Sequence, residues 1–86
     1  MHPSVAISRS VLSDQVRDRL LRAILDGRYA PGTRIVETHV AREYGTSQAP
    51  VREALRDLEG LGLVEMQPFR GARVRRPGAD ELVEAF

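Results

Sequence analysis

Apolar side chains recur at every fourth position through the first third of the chain. The apolar set consists of Leu12, Val16, Leu20, Leu21, Ile24 and Leu25. This spacing is typical of one buried face of an α-helix. Ser13 suits the N-cap of such a helix, and Gly27 suits its C-terminal stop. The pattern therefore predicts a first helix between these two residues, after a flexible N-terminal arm over residues 1–11.

Two shorter helices are predicted next. A very short strand at Ile35 and Val36 precedes a helix from about Glu37 to Tyr44, which Gly45 ends. The third helix begins after Ser47 as its N-cap. Pro50 then falls in the first turn, where its missing N–H breaks no helical hydrogen bond. The predicted buried face of the third helix consists of Val51, Ala54, Leu55, Leu58 and Leu61.

A change of period follows the third helix. Residues 63–67 and 72–75 alternate between apolar and polar types, with a turn at residues 68–71, so they predict a β-hairpin. The order of elements predicts a mainly α fold over residues 12–76: a winged helix-turn-helix of three helices and a two-stranded β-hairpin wing. Residues 77–86 begin another helical pattern with an uncovered apolar side, which we expect to belong to something longer.

Composition narrows the possible chemistry. The 86 residues suffice for one small domain, and the absence of cysteine excludes disulfides and thiolate zinc sites. No apolar run resembles a signal peptide or membrane span, so we expect a cytoplasmic, nucleoid-associated protein without membrane contact. His39 is isolated, and no phosphate-binding glycine loop exists. We expect no catalysis, no metal and no cofactor in this chain.

The charge is unevenly placed although the formal net charge is only +1. On the third helix, Gln48, Arg52 and Arg56 are spaced by four and share one exposed face, with Ala49 beside them. Glutamine and arginine can each make two hydrogen bonds to a purine edge, and the major groove of DNA admits one helix. The alternative is an ordinary solvated helix face. The preceding helix, the Gly45 turn and the following hairpin favour DNA.

The hairpin turn carries the second cationic group. Arg70 and Arg73 flank Gly71, which permits close backbone approach. Such a tip suits phosphate contacts or a narrow minor groove. The alternative is a charged strand edge that only maintains solubility.

A longer motif accompanies these features. It comprises residues 31–35 (PGTRI), Glu37, Val40, Ala41, Gly45, residues 50–55 (PVREAL), Leu58, Glu59, residues 62–64 (GLV), Pro68, Arg70, Gly71 and Val74. In order and spacing the chain resembles the DNA-binding domain of the GntR family of bacterial transcription regulators, and is most similar to its FadR-like branch. The resemblance implies a third helix in the major groove and a wing tip in the adjacent minor groove. It also implies contact roles for Ser47, Arg52, Arg70 and Gly71.

Four positions depart from the family's usual pattern. Thr46 stands where valine is usual, Gln48 and Ala49 where arginine and threonine are usual, and Thr38 where many members have arginine. The change at Gln48 puts the usual base preference in question but not the fold. The predicted DNA-binding set is Thr38, Thr46, Ser47, Gln48, Ala49, Arg52, Arg56, Arg70, Gly71 and Arg73.

The resulting hypothesis is the DNA-binding head of a transcription regulator. We expect a double-stranded, pseudo-palindromic operator bound by a homodimer of the intact protein, whereas this chain alone is expected to be monomeric or weakly associating. The resemblance implies that residues 77–86 lead into a helical ligand-binding domain, absent from this chain, which binds an effector whose identity the sequence leaves open. The alternative is a winged-helix protein-interaction module, for which Phe69 at the wing tip is the one suitable feature.

Overall fold

The computed structural model describes residues 3–69 and 71–76, with side chains from residue 11 onward. The elements are α1 (Pro3–Leu25), β1 (Arg34–Ile35), α2 (Glu37–Tyr44), α3 (Gln48–Gly60), β2 (Val64–Gln67) and β3 (Gly71–Val74). The strands form one antiparallel sheet in the order β1-β3-β2. The predicted mainly α winged helix-turn-helix is confirmed. The sheet has one strand more than the two predicted for the wing, because β1, which precedes α2, pairs with β3.

Helix α1 is longer than the sequence pattern indicated. It begins at Pro3, so Ser13 lies inside the helix as a buried residue and is not its N-cap. The prediction that the first helix begins after Ser13 is therefore wrong. Proline is favoured in the first turn of a helix, and no glycine or further proline interrupts residues 4–26. Neither α1 nor the other described helices could span a membrane.

The core lies where α1, α3 and the sheet meet. Its buried members are Val16, Leu20, Ile35, Val40, Ala41, Val51, Ala54, Leu55, Leu58, Val64, Ala72 and Val74. Every helix and every strand contributes at least one of them. A domain of this size has little interior, so each fully buried side chain matters to stability.

Three side chains predicted to be buried are exposed: Leu12, Leu25 and Leu61. The buried seam of α1 is centred between Val16 and Leu20, and Leu25 lies about 160° round the helix from that centre at 100° per residue. Leu12 lies on the edge of the same seam. Leu61 follows the end of α3, where the helical period no longer applies.

The turn between α2 and α3 fixes their relative direction. Gly45 adopts a left-handed φ of 69°, and the Thr46 N–H donates to the Ala41 carbonyl at 2.9 Å. This arrangement ends α2 in the way that glycine favours. Ser47 then has extended backbone at the N-cap of α3, as predicted, but its side chain makes no capping hydrogen bond.

Gly71 is required by the sheet itself. Its φ is 78°, and a Cβ built there would overlap the backbone oxygen of Ile35 and lie 3.3 Å from the Val36 Cα. The sequence suggested that this glycine allows approach to DNA, whereas the structure shows that it allows approach of β1 to β3. Arg70, the neighbouring site residue, lies outside the described residues, as do residues 1, 2 and 77–86.

Gly71→Ala should therefore destabilise the fold by more than the positive φ alone would cost an alanine, because the added Cβ also overlaps the Ile35 oxygen. Gly62→Ala is the matched control, because Gly62 also has a positive φ, of 81°, but no atom within 4 Å of its Cβ position. We expect about 1 kcal/mol of destabilisation for the control and about 1–3 kcal/mol more for Gly71→Ala, measured by urea unfolding. Equal losses would show that the contact with Ile35 imposes no constraint.

Candidate nucleic-acid interface

The exposed face of α3 borders an open cleft. The N-terminal turn of α2 forms one wall, and the hairpin forms the other. The predicted site residues that line it are Thr38, Gln48, Arg52, Arg56 and Gly71. Arg34 of β1 and Gln67 of β2 also line the cleft, although no sequence pattern indicated them. Gln48, Arg52 and Arg56 on α3 and the residues of the wing thus border one concave surface.

The remaining predicted residues lie beside the cleft or away from it. Ser47 and Ala49 are exposed at the start of α3, and Thr46 is half-buried in the turn before it. Arg73 projects elsewhere: its Nη1 donates to the Gly32 carbonyl at 3.0 Å, which ties β3 to the turn before β1. The structure therefore does not bring Arg73 to the cleft.

Arg52 is held by an acid that the sequence analysis missed as a site residue. Its Nε and Nη2 donate to Oε1 of Glu37 at 3.1 and 3.0 Å, and Nε lies 3.3 Å from Oε2. These hydrogen bonds, and secondly the carboxylate charge, raise the pKa of Arg52 above its ordinary value. No local signal predicts the pair, because the two residues belong to different helices.

A second carboxylate ties the wing to α3. Oε2 of Glu59 accepts a hydrogen bond of 2.9 Å from the backbone N–H of Met66, in the middle of β2. Both residues line the cleft. The hairpin is thus connected to α3 by a charge-assisted hydrogen bond as well as by the chain. This contact sets the width of the cleft between helix and wing.

Phe69 occupies an unusual position at the end of the hairpin. Its side chain is fully exposed, and its φ of 62° lies in the left-handed region, which aromatic residues rarely adopt. Phe69 also lines the cleft. Phe69 contributes nothing to the core and has a strained backbone angle, which makes it a candidate for contacts outside the folded chain.

A second cleft lies between α1, α2 and the loop that joins α1 to β1. The Arg19 guanidinium lies 3.9 Å from the centre of the Tyr44 ring. Partial burial raises the pKa of both Tyr29 and Tyr44. Tyr44 and Glu43 raise the pKa of Tyr29 further, whereas the Arg19 charge partly offsets the rise at Tyr44. His39 lies here, exposed, as the sequence predicted. Among the described residues, none of those predicted to bind DNA lines this second cleft.

Several of the similar curated proteins are named as transcriptional repressors. One, from Paenarthrobacter nicotinovorans, is named for repression of a D-xylose utilization operon; it is 43% identical over 82 residues, which cover 95% of this chain and 36% of the relative. The galactonate operon transcriptional repressor of Escherichia coli strain K12 is 35% identical over 63 residues, covering 72% of this chain and 28% of that protein. The chain thus spans about a third of these relatives.

Solved structures share the fold. A GntR-family regulator from Pseudomonas syringae superimposes with a TM-score of 0.71 at 33% identity, over 87% of this chain and 32% of that one. An N-terminal domain of AraR, crystallised in complex with mutant ORR3, gives 0.67 at 26% identity, over 73% of this chain and 91% of that one. The family described as "Bacterial regulatory proteins, gntR family" matches residues 12–74. This chain therefore belongs to the GntR family and carries its winged helix-turn-helix DNA-binding domain.

Proposed function

We propose that α3 enters the major groove of an operator while the wing tip reaches the adjacent minor groove. The observation that carries this proposal is the shared cleft: Gln48, Arg52 and Arg56 face it from α3, and Phe69 and Gly71 face it from the hairpin. A phosphate backbone that runs between two grooves would lie between these two groups. The geometry therefore suits one duplex contacted at two adjacent grooves.

The dimensions agree with this placement. The 13 residues of α3 span about 20 Å, and a helix with its side chains is about 10–12 Å across, close to the width of the major groove. Gln48 and Ala49 start the helix and remain exposed, so they are suited to the deepest part of the groove. Ser47, whose hydroxyl makes no capping bond, is suited to a neighbouring phosphate.

Phe69 is the wing-tip residue that we propose to contact the minor groove. Apolar side chains can insert between base steps of a minor groove. Phe69 is the exposed aromatic residue that borders the α3 cleft. Arg70 is proposed to contact a phosphate, on the basis of the sequence. Arg73 is proposed only to stabilise the contact between β3 and the turn before β1.

This chain covers about a third of the length of the similar repressors. We infer a member of the FadR-like branch, in which a following helical domain binds an effector and holds two copies together on a pseudo-palindromic operator in the cytoplasm. Two relatives named as repressors support control by operator occupancy. The family's regulators support a binding role without catalysis.

Protein docking is the second candidate function, and exposure of Phe69 is the observation that favours it. Docking surfaces centre on apolar and aromatic residues with few charges. The surroundings of Phe69 are different, because three arginines line the same cleft: Arg34, Arg52 and Arg56. The cationic lining favours DNA.

Binding of this chain to duplex DNA should weaken steeply as salt is added. Each neutralised phosphate contributes a slope of about −0.9 to the log–log plot of affinity against salt, and Arg56→Gln should reduce the slope by about one unit. Arg28→Gln removes the same charge from the second cleft and should leave the slope nearly unchanged. Fluorescence anisotropy titrations at several salt concentrations provide the measurement. No binding at low salt would favour docking.

Gln48→Arg should change the base preferred at one operator position towards guanine. Glutamine suits adenine N6 and N7, whereas arginine suits guanine O6 and N7. Gln15→Arg is the matched control, since Gln15 is exposed on α1, outside the cleft. Selection of preferred duplexes from a random pool measures the effect. Identical motifs from wild type and Gln48→Arg would show that this position does not contact bases.

Phe69→Asn should stabilise the fold and weaken DNA binding. Asparagine tolerates a left-handed φ better than phenylalanine, so unfolding should require up to about 1 kcal/mol more. Loss of the ring should lower duplex affinity if the ring enters the minor groove. Thermal unfolding and DNA titration of the same preparations test both parts. An unchanged affinity would remove Phe69 from the proposed DNA contacts.

A further inference from the structure

An acidic residue lies at the centre of the surface proposed to face DNA phosphates. The Glu37 side chain is only 15% exposed, whereas Arg52, its partner, is 47% exposed. Both line the cleft between α3 and the wing. A carboxylate at such a position opposes the approach of any polyanion, so its presence needs a compensating role.

The hydrogen bonds of the pair show which donors remain available. A guanidinium has five N–H groups: one on Nε and two on each Nη. Glu37 uses the edge formed by Nε and Nη2. The opposite end, with both N–H groups of Nη1 and the second one of Nη2, remains available for contact. Two adjacent N–H groups at that end match the O6 and N7 acceptors of guanine.

Both partners stand on rigid parts of the core. Glu37 is the first residue of α2, and the adjoining turn is anchored by fully buried Val40, whose N–H donates to the Val36 carbonyl at 3.0 Å. Arg52 follows the fully buried Val51 on α3. The pair therefore joins α2 to α3 across the cleft wall, and it orients the Arg52 side chain before any ligand arrives.

We propose that Glu37 is a positioning residue that increases base discrimination by Arg52, an inference that rests on the proposed DNA-binding function. Because Glu37 already restricts the Arg52 side chain, Arg52 loses fewer orientations when it binds DNA. The affinity for a duplex with a correctly placed guanine therefore rises. Movement of Arg52 to a phosphate at an incorrect site would leave the largely buried carboxylate unpaired, which is unfavourable. Glu37 thus lowers non-specific affinity and raises specific affinity.

The test compares affinities for a duplex selected by the wild-type chain and for its scrambled counterpart. Glu37→Gln should bind the scrambled duplex at least as tightly as wild type, because a negative charge is lost, and should bind the selected duplex more weakly. We expect the ratio of the two affinities to fall about tenfold. Glu37→Asp keeps the charge but shortens the side chain, so its ratio should fall as well.

Glu43→Gln is the control variant. Glu43 is exposed on the same helix, lines the second cleft and undergoes the same change of charge, so its ratio should stay at the wild-type value. In an Arg52→Ala background, Glu37→Gln should have no further effect on the ratio, because Glu37 acts through Arg52. Circular dichroism and thermal unfolding confirm that each variant is folded.

A measurement without DNA keeps the proposal testable if Glu37→Gln does not fold. The Arg52 Nε–H resonance of the wild-type chain should exchange slowly with water, and Glu37→Asp should lose this protection. Unchanged protection would overturn the proposal. So would equal rises of both affinities in Glu37→Gln, an unchanged ratio, or an effect that persists with Arg52→Ala. A wild-type chain that binds no duplex would instead overturn the proposed function itself.

Discussion

The structure depends on the packing of α3 against α1 and the sheet. One face of α3 supplies Val51, Ala54, Leu55 and Leu58, all fully buried. Burial of these side chains fixes the rotation of the helix about its own axis, because any other rotation would expose apolar surface to water. The direction of the opposite face follows from this constraint. The core therefore determines the direction of the helix face that carries Gln48, Arg52 and Arg56, and Glu37 in addition orients the Arg52 side chain.

The wing is positioned by contacts that complete the same arrangement. Pairing of Ile35 with Ala72 joins β1 to β3 beside Gly71, whose lack of a side chain permits it. The Glu59 carboxylate then holds β2 against α3 through the Met66 N–H. These links act at both edges of the hairpin. The distance between helix and wing is thus set before DNA is present, which reduces the ordering required on binding.

Local signals predicted some elements well and others poorly. The limits of α2 and the start of α3 followed from Gly45, Ser47 and Pro50, whose backbone preferences act over one or two residues. The start of α1 was wrong, because Ser13 resembles a cap although the helical backbone already continues through it. The α1 stripe also included Leu25, whose orientation only the packing partner decides.

Long-range pairing explains most of what the sequence did not predict. A very short strand was predicted at Ile35 and Val36, and β1 lies one residue earlier, at Arg34 and Ile35. Its pairing with β3 could not be predicted, because two residues are too few for a recognisable period. The stripe on α3 was predictable from helical spacing, and its residues do border one cleft. The partner of Arg52 was not predictable in the same way, since Glu37 lies 15 residues away on another helix.

The arrangement of acidic groups reconciles a nearly neutral chain with a cationic surface. The formal net charge is +1, a value that by itself indicates no affinity for nucleic acid. Outside the lining of the cleft between α3 and the wing, Arg17 pairs with Asp14, Asp18 and Asp57, so three carboxylates are paired away from the surface proposed to bind DNA. Within the cleft lining, both carboxylates accept hydrogen bonds, from Arg52 and from the Met66 N–H, so neither is an isolated negative charge. The placement and bonding of each acid, more than the total charge, determine what the surface can bind.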